Sequence, residues 1–128
     1  MSQSRSVAVL GASQDRRKYG NKAVRAFLAC GWRVHPVSLS ADTVESLPAV
    51  RSLDEIAGPL DAVTVYLPPT VGLATLPAIA AKKPATVWFN PGAESPELKA
   101  AVAVLGLPAV YDCSIVAIGR SPKEFPDE

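Results

Sequence analysis

The chain has 128 residues, of which 48% are hydrophobic and 20% charged, a composition that is typical of a globular protein and excludes a disordered one. The net charge of +1 provides no global attraction to nucleic acid or to a membrane surface. Pro, Lys and Gly break every apolar stretch well short of the ~20 residues of a membrane span, and the first six residues lack the apolar core of a signal peptide. We therefore expect a cytoplasmic protein with one domain over residues 1–128.

Apolar runs and helical patterns alternate from the N-terminal end onward. The run Val7–Leu10 predicts a first strand, and the apolar spacing over Asn21–Cys30 predicts a helix that Gly31 ends. A second strand follows over Trp32–Val37. Leu53–Ile56 has the pattern of a short helical turn.

The middle of the chain repeats this alternation. Asp61–Leu67 predicts a third strand, which the proline pair at 68–69 ends because proline lacks the backbone N–H that a strand needs. Thr70 is suited to cap a helix over Val71–Ala81, although Pro77 interrupts its hydrogen bonds.

The last third of the chain predicts two more strands and one more helix. Thr86–Phe89 is the fourth strand, and Ser95 is placed to cap a helix over Pro96–Leu105. Leu107–Tyr111 is the fifth strand. The polar residues 121–128 predict a loosely held tail.

Strands separated by helical crossovers indicate an α/β fold with a five-stranded parallel sheet that is covered by helices on both faces. Right-handed crossovers favour a doubly wound, Rossmann-like sheet with strand order 3-2-1-4-5 and a core over about residues 6–114. Ligands of such sheets bind at the carboxyl ends of the strands, so the residues that follow each strand are candidates for a site.

The turn after the first strand carries the clearest signal in the chain. Gly11, Ala12 and Ser13 lead into a basic loop over Arg16–Lys18 and then into the first helix at Tyr19-Gly20. Glycine allows close approach of a ligand to the backbone, and a helix N-terminus offers free N–H groups to a phosphate. We therefore predict nucleotide or phosphate binding at this turn.

Two features argue against NAD as the ligand. Ser13 stands where the dinucleotide fingerprint G-x-G-x-x-G has its second glycine. The second strand ends at Ser38, where NAD-binding folds place an acidic residue for the ribose, and Asp42 comes several residues later. An NAD(P)-binding subunit of a multi-chain oxidoreductase is the alternative hypothesis.

The remaining strand ends add apolar and polar candidates. Leu67 and the two prolines after it form a rigid apolar platform, and the fourth strand leads to Asn90 and Gly92. Asp112 and Cys113 follow the fifth strand.

These segments together resemble the small stand-alone CoA-binding proteins, whose fold matches the CoA-binding domain of succinyl-CoA synthetase. The resemblance covers Val7 to about Cys113. It rests on Gly11-Ala12-Ser13, Lys18-Tyr19-Gly20, Pro36-Val37, Leu67-Pro68-Pro69, Trp88-Phe89-Asn90-Pro91-Gly92 and Asp112-Cys113. The chain departs from the family at Ser38-Leu39, where Asn-Pro is frequent, and at Asn90, where Gln is frequent.

The resemblance implies that the protein binds coenzyme A or an acyl-CoA. Glycine and serine of the first turn would hold the pyrophosphate, one or more of the basic loop residues would neutralise phosphates, and the second and third strand ends would flank the adenosine. The candidate binding residues are Gly11, Ala12, Ser13, Arg17, Lys18, Tyr19, Gly20, Pro36, Val37, Ser38, Leu67, Pro68, Asn90 and Gly92.

The chain shows no catalytic constellation and no metal-ligand spacing. Its one histidine, His35, lies in an apolar strand, and its two cysteines, Cys30 and Cys113, suit neither a disulfide framework nor a metal site. We therefore expect a binding or regulatory module without its own catalysis. A redox-responsive protein that uses Cys113 is a further hypothesis, and a homodimer or an unidentified protein partner is compatible with the sequence.

Overall fold

A computed structural model describes residues 5–128, in which a parallel sheet lies between two layers of helices. The strands are β1 (Ser6–Leu10), β2 (Arg33–Val37), β3 (Thr43–Val44), β4 (Leu47–Pro48), β5 (Ala62–Val65), β6 (Thr86–Phe89) and β7 (Ala109–Val110). The helices are α1 (Tyr19–Ala29), α2 (Pro69–Ala81), α3 (Pro96–Leu105) and α4 (Ser114–Ala117), with 3-10 turns over Leu53–Glu55 and Pro122–Glu124. The sheet order is β2-β1-β5-β6-β7, and β3 and β4 form a separate antiparallel hairpin. The predicted doubly wound, Rossmann-like α/β fold is confirmed.

The core occupies both faces of the sheet because the side chains of each strand alternate. Val7 and Val9 pack with Phe27 of α1 on one face. Ala8 and Leu10 pack with Leu76 of α2 on the other face. All five residues of β1 are consequently buried, as a central parallel strand requires.

The predicted strand order 3-2-1-4-5 is wrong: counting only the sheet strands, the order is 2-1-3-4-5. The connection from β2 to β5 begins on the face that α1 covers, where Ala41 and Val44 are buried, but the part that leads into β5 lies on the other face. Leu53, Ile56 and Leu60 in this connection pack on the opposite face. Because crossovers are right-handed, a connection on the opposite face carries the next strand in the opposite direction across the sheet. Therefore β5 pairs with β1 instead of with β2.

Several element ends differ from the predicted ones. Helix α1 begins at Tyr19, two residues before the predicted start, and the N-cap of α2 is Pro68 instead of Thr70. The Ser95 cap is confirmed, since its hydroxyl accepts a hydrogen bond from the N–H of Leu98 at 3.1 Å. The hairpin of β3 and β4 was not predicted. In the part of the chain that the structure describes, no helix has the length and apolar character needed to cross a bilayer.

Residues of the C-terminal segment 121–128, which the sequence predicts to be a loosely held tail, contact α1. Lys22 Nζ lies 2.7 Å from Asp127 Oδ1 and donates a hydrogen bond to the carbonyl of Phe125 at 2.6 Å. The guanidinium of Arg25 lies over the Phe125 ring, 5.8 Å from its centroid. Two charged residues of α1, both of them buried, therefore contact Phe125 and Asp127 of this segment.

The side chain of His35 makes the free energy of unfolding depend on pH. Burial lowers the pKa of His35, and the charges of Arg33 and Lys82 lower it further. The unfolded chain therefore binds this proton more readily than the folded protein, so the free energy of unfolding decreases as the pH falls below about 6.5. We expect the His35→Gln variant to lose less stability than the wild type between about pH 7 and pH 5. Urea denaturation at both pH values measures this, and equal losses would contradict it.

Candidate functional site

An open cleft of about 820 Å³ lies at the carboxyl ends of the strands. It includes the ends of β1 and β5. Between these two strands the strand order of a 2-1-3-4-5 sheet reverses direction, and folds of this type bind their ligands at that position. Most of the residues predicted from the sequence line it: Gly11, Ala12, Ser13, Lys18, Tyr19, Gly20, Val37, Ser38, Leu67, Pro68 and Gly92. Three others are not among the residues that line it: Arg17, Pro36 and Asn90.

Two glycines bring the first turn and α1 into direct backbone contact. Gly11 has a φ of 86°, and a Cβ on this residue would lie 2.5 Å from the carbonyl oxygen of Tyr66. A Cβ on Gly20 would lie 2.1 Å from the carbonyl oxygen of Gly11. Side chains at either position would therefore push apart the elements that form this end of the cleft.

The N-terminus of α1 presents free hydrogen-bond donors to the cleft. The N–H groups of Tyr19 and Gly20 have no acceptor within residues 5–128, and no side chain caps the helix. Its first turn also contains no acidic residue. By contrast, the N–H groups of Gly11 and Ala12 donate to the carbonyl of Val37 at 3.2 and 3.1 Å. The helix N-terminus, with its partial positive charge, is therefore the part of this turn that can bind an anion.

The basic loop contributes one of its three cations to the cleft. Arg17 forms hydrogen bonds of 3.0 and 2.9 Å with the carboxylate of Asp15, and this contact lowers the pKa of Asp15 to about 2. Arg16 pairs with Glu45 at 3.2 Å. Lys18 lines the cleft beside the open end of α1. Among these three, Lys18 is thus the residue that lines the cleft.

Asn90 belongs to a buried polar network under the cleft. It is 1% exposed, and its amide donates to Thr64 Oγ1 at 2.7 Å and to the carbonyl of Val65 at 2.9 Å. Its side-chain oxygen accepts from the N–H of Ser114 at 2.8 Å. The Ser114 hydroxyl in turn lies 3.1 Å from the hydroxyl of Tyr66, whose pKa is raised by burial. Asn90 therefore connects β5, β6 and α4 through bonds within the protein.

One apolar wall of the cleft was not predicted from the sequence. Val71, Ala74, Thr75 and Ala78 lie on one face of α2 and line the cleft. The Thr75 hydroxyl donates to the carbonyl of Gly72 at 2.6 Å, so its hydrogen-bonding capacity is partly used within the helix. The spacing 71, 74, 75 and 78 is helical and was the available signal.

Arg51 was also missed. It precedes the 3-10 turn and lines the cleft near the end of β2, together with Ser38 and Leu39. Arg51 lies between a hairpin and a turn and belongs to no sequence motif from which a role in the cleft could be predicted. Its approach to the cleft depends on how the crossover folds.

The chain is similar to proteins with this fold in sequence and in structure. The family model described as "CoA binding domain" matches residues 5–120. A conserved hypothetical protein from Pyrococcus furiosus is 32% identical with a TM-score of 0.80, and the match covers 88% of this chain and 98% of that one. A protein from Thermus thermophilus is 32% identical with a TM-score of 0.79, covering 89% of this chain and 87% of that one.

A more distant similarity concerns the fold alone. The dinucleotide forming acetyl-coenzyme A synthetase 1 from Ca. Korarchaeum cryptofilum is 20% identical with a TM-score of 0.72, and the match covers 84% of this chain and 25% of that one. No curated protein matches this chain. Because the family model spans the sheet and the whole cleft, the chain belongs to the CoA binding domain family.

Proposed function

We propose that this protein binds coenzyme A or an acyl-CoA in the cleft, as a binding module without catalysis of its own. The observation that carries the proposal is the open N-terminus of α1, which presents unpaired N–H groups and Lys18 to the cleft beside Gly11. These groups suit the pyrophosphate, since the close contact between the first turn and α1 leaves backbone donors uncovered by side chains.

The rest of the cleft suits the less polar parts of the same ligand. Leu67 and Pro68 form a rigid apolar wall, and Val71 and Ala74 of α2 extend it. An adenine ring or a pantetheine arm that contacts this wall would remove apolar surface from water. Because Asn90 is buried in the polar network, we do not include it among the ligand contacts.

The titratable groups that line the cleft support binding instead of catalysis. They are Lys18, Tyr19, Arg51, Asp54 and Tyr66 among the described residues. Burial raises the pKa of Tyr66, so this hydroxyl stays protonated near neutral pH. General acid–base catalysis needs a group whose pKa lies near the working pH and which is within reach of the reacting atom. Histidine and cysteine, the residue types whose ordinary pKa values lie closest to neutral, are not among the described residues that line the cleft.

Thermal denaturation with and without ligand tests the proposal. A ligand at 100 times its Kd stabilises a protein by about 2.7 kcal/mol, which for a domain of this size raises the Tm by roughly 5–15 °C. We expect this shift with coenzyme A and a much smaller one with NAD. A shift with NAD alone would favour an NAD-binding subunit, and no shift with either ligand would overturn the proposal.

A matched pair of variants in the basic loop locates the phosphate contact. We expect Lys18→Ala to weaken CoA binding about three- to tenfold, because an exposed charge contributes roughly 1 kcal/mol. Arg17→Ala is the control, since Arg17 is not among the residues that line the cleft and pairs with Asp15. Titration calorimetry measures both variants, and equal losses in the two would contradict the assignment to Lys18.

A further inference from the structure

Arg51 places a second cation at the β2 end of the cleft. Its Nη1 donates to the carbonyl oxygens of Ser38 and Ala41, at 3.0 and 2.5 Å. Ser38 is the residue immediately after β2, so these bonds fix the guanidinium beside the carboxyl end of that strand. The guanidinium is therefore held in a defined position by the backbone.

The guanidinium retains capacity for an anionic ligand. It has five N–H donors, of which the structure uses three: two bind the carbonyls, and one binds Asp42 Oδ1 at 2.6 Å. The side chain of Asp42 is 91% exposed, so this carboxylate is a solvated counterion. An ion pair of this kind is weak, and a phosphate can replace the carboxylate without breaking the bonds to the carbonyls.

The end of the second strand is where doubly wound folds hold the ribose of adenosine. An acidic residue at this place binds a free ribose diol, whereas an arginine accommodates a phosphorylated ribose. This chain has Ser38 at the strand end and Arg51 beside it. The local chemistry therefore favours a ribose that carries a phosphate.

The charges that line the described cleft are compatible with two separate phosphate sites. Lys18 and the N-terminus of α1 lie at the end of the first turn, and Arg51 lies at the end of β2. Asp54, the one carboxylate among the lining residues, lies three residues beyond Arg51. Coenzyme A carries a pyrophosphate and a separate phosphate on the 3′ oxygen of the ribose.

We propose that Arg51 binds the phosphate on the adenosine ribose of the ligand and so selects the phosphorylated ribose over the free one. This inference rests on the proposed binding of coenzyme A in the same cleft. A ribose phosphate is shared by coenzyme A, which has it at the 3′ position, and NADP, which has it at the 2′ position. The experiment separates these two sources.

Calorimetric affinities for coenzyme A and dephospho-coenzyme A test the inference. We expect the wild type to bind coenzyme A about tenfold more tightly, because a hydrogen bond between charged groups is lost with the phosphate. In Arg51→Ala the ratio of the two affinities is expected to fall to about one. In the control Lys18→Ala both affinities decrease together, so the ratio stays near the wild-type value.

A second variant keeps Arg51 and its bonds to the carbonyls. Asp42→Asn removes the competing carboxylate, so we expect the preference for coenzyme A to increase about two- to threefold. The ratio of the affinities for coenzyme A and dephospho-coenzyme A tests the inference even if Arg51→Ala shifts the loop after β2, because a displaced loop weakens the binding of both ligands alike. A ratio that is the same in the wild type and in Arg51→Ala overturns the inference.

The same measurements with NADP and NAD distinguish failure of the inference from failure of the proposed function. Equal, tight binding of both coenzyme A forms leaves the proposed function intact and overturns the role of Arg51. An Arg51-dependent preference for NADP over NAD, without binding of coenzyme A, supports the role of Arg51 and overturns the proposed function. Binding of none of the four ligands overturns both.

Discussion

Gly20→Ala is expected to destabilise the protein by about 1–3 kcal/mol and to weaken CoA binding at least about tenfold. A Cβ at this position would lie 2.1 Å from the carbonyl oxygen of Gly11, which is backbone and cannot rotate away. The start of α1 must then move from the first turn, and its free N–H groups move with it. Alanine is otherwise favoured over glycine in a helix by up to about 1 kcal/mol, so the loss arises from the contact alone.

Gly72→Ala is the matched control for this prediction. Gly72 also lies in a helix against the sheet, but a Cβ there would meet Leu98 Cδ1 at 3.5 Å and Val65 Cγ1 at 3.8 Å, which are ordinary contacts. We expect this variant to be more stable than the wild type by about 0.4–1 kcal/mol. Urea denaturation gives both stabilities, and calorimetry gives the affinity for CoA. If Gly20→Ala is as stable as the wild type and binds CoA equally well, the proposed contact between the first turn and α1 has no role.

Asn90→Ala is expected to cost about 2–4 kcal/mol of stability, because it removes three buried hydrogen bonds and a buried polar group left without a partner costs about 1–3 kcal/mol. The N–H of Ser114 is the group left without a partner. The Thr64 hydroxyl keeps the Ser114 hydroxyl at 2.7 Å, and the carbonyl of Val65 keeps the backbone N–H of residue 90 at 3.3 Å. Low local dielectric increases the cost of the unpaired group. Chemical denaturation measures the loss.

Thr64→Val is the control within the same network. It preserves the shape of the side chain and removes only the hydroxyl, so the amide of Asn90 keeps its bonds to Val65 and Ser114. We expect a cost of about 1–2 kcal/mol. A loss below about 1 kcal/mol in Asn90→Ala would mean that water replaces the network and that Asn90 is not a structural residue.

Local signals predicted the alternation of strands and helices and the first turn. Val7–Leu10 is apolar throughout because β1 is buried on both faces. Ser95 caps α3 through a hydrogen bond from the N–H of Leu98, which is only three residues further along the chain. The turn at Gly11 was also evident, since glycine supplies a φ of 86° at the end of an apolar strand. These features depend on neighbours in the chain, so a single sequence contains them.

The strand order was decided by the tertiary structure. Whether β5 pairs with β1 or with β2 depends on which face of the sheet Leu53 and Ile56 cover, and their spacing does not specify a face. The hairpin of β3 and β4 adds to this ambiguity, because it occupies the crossover without joining the sheet.

The sequence by itself determined a parallel α/β sheet with a glycine turn between its first strand and its first helix, because backbone conformation and apolar spacing are local properties. Only the tertiary structure decided that Asn90 is buried, that Lys18 lines the cleft while Arg17 pairs with Asp15, and that Arg51 reaches the end of β2. Each of these depends on contacts between residues distant in the chain or on the direction a side chain takes. Residue type and spacing do not contain that information.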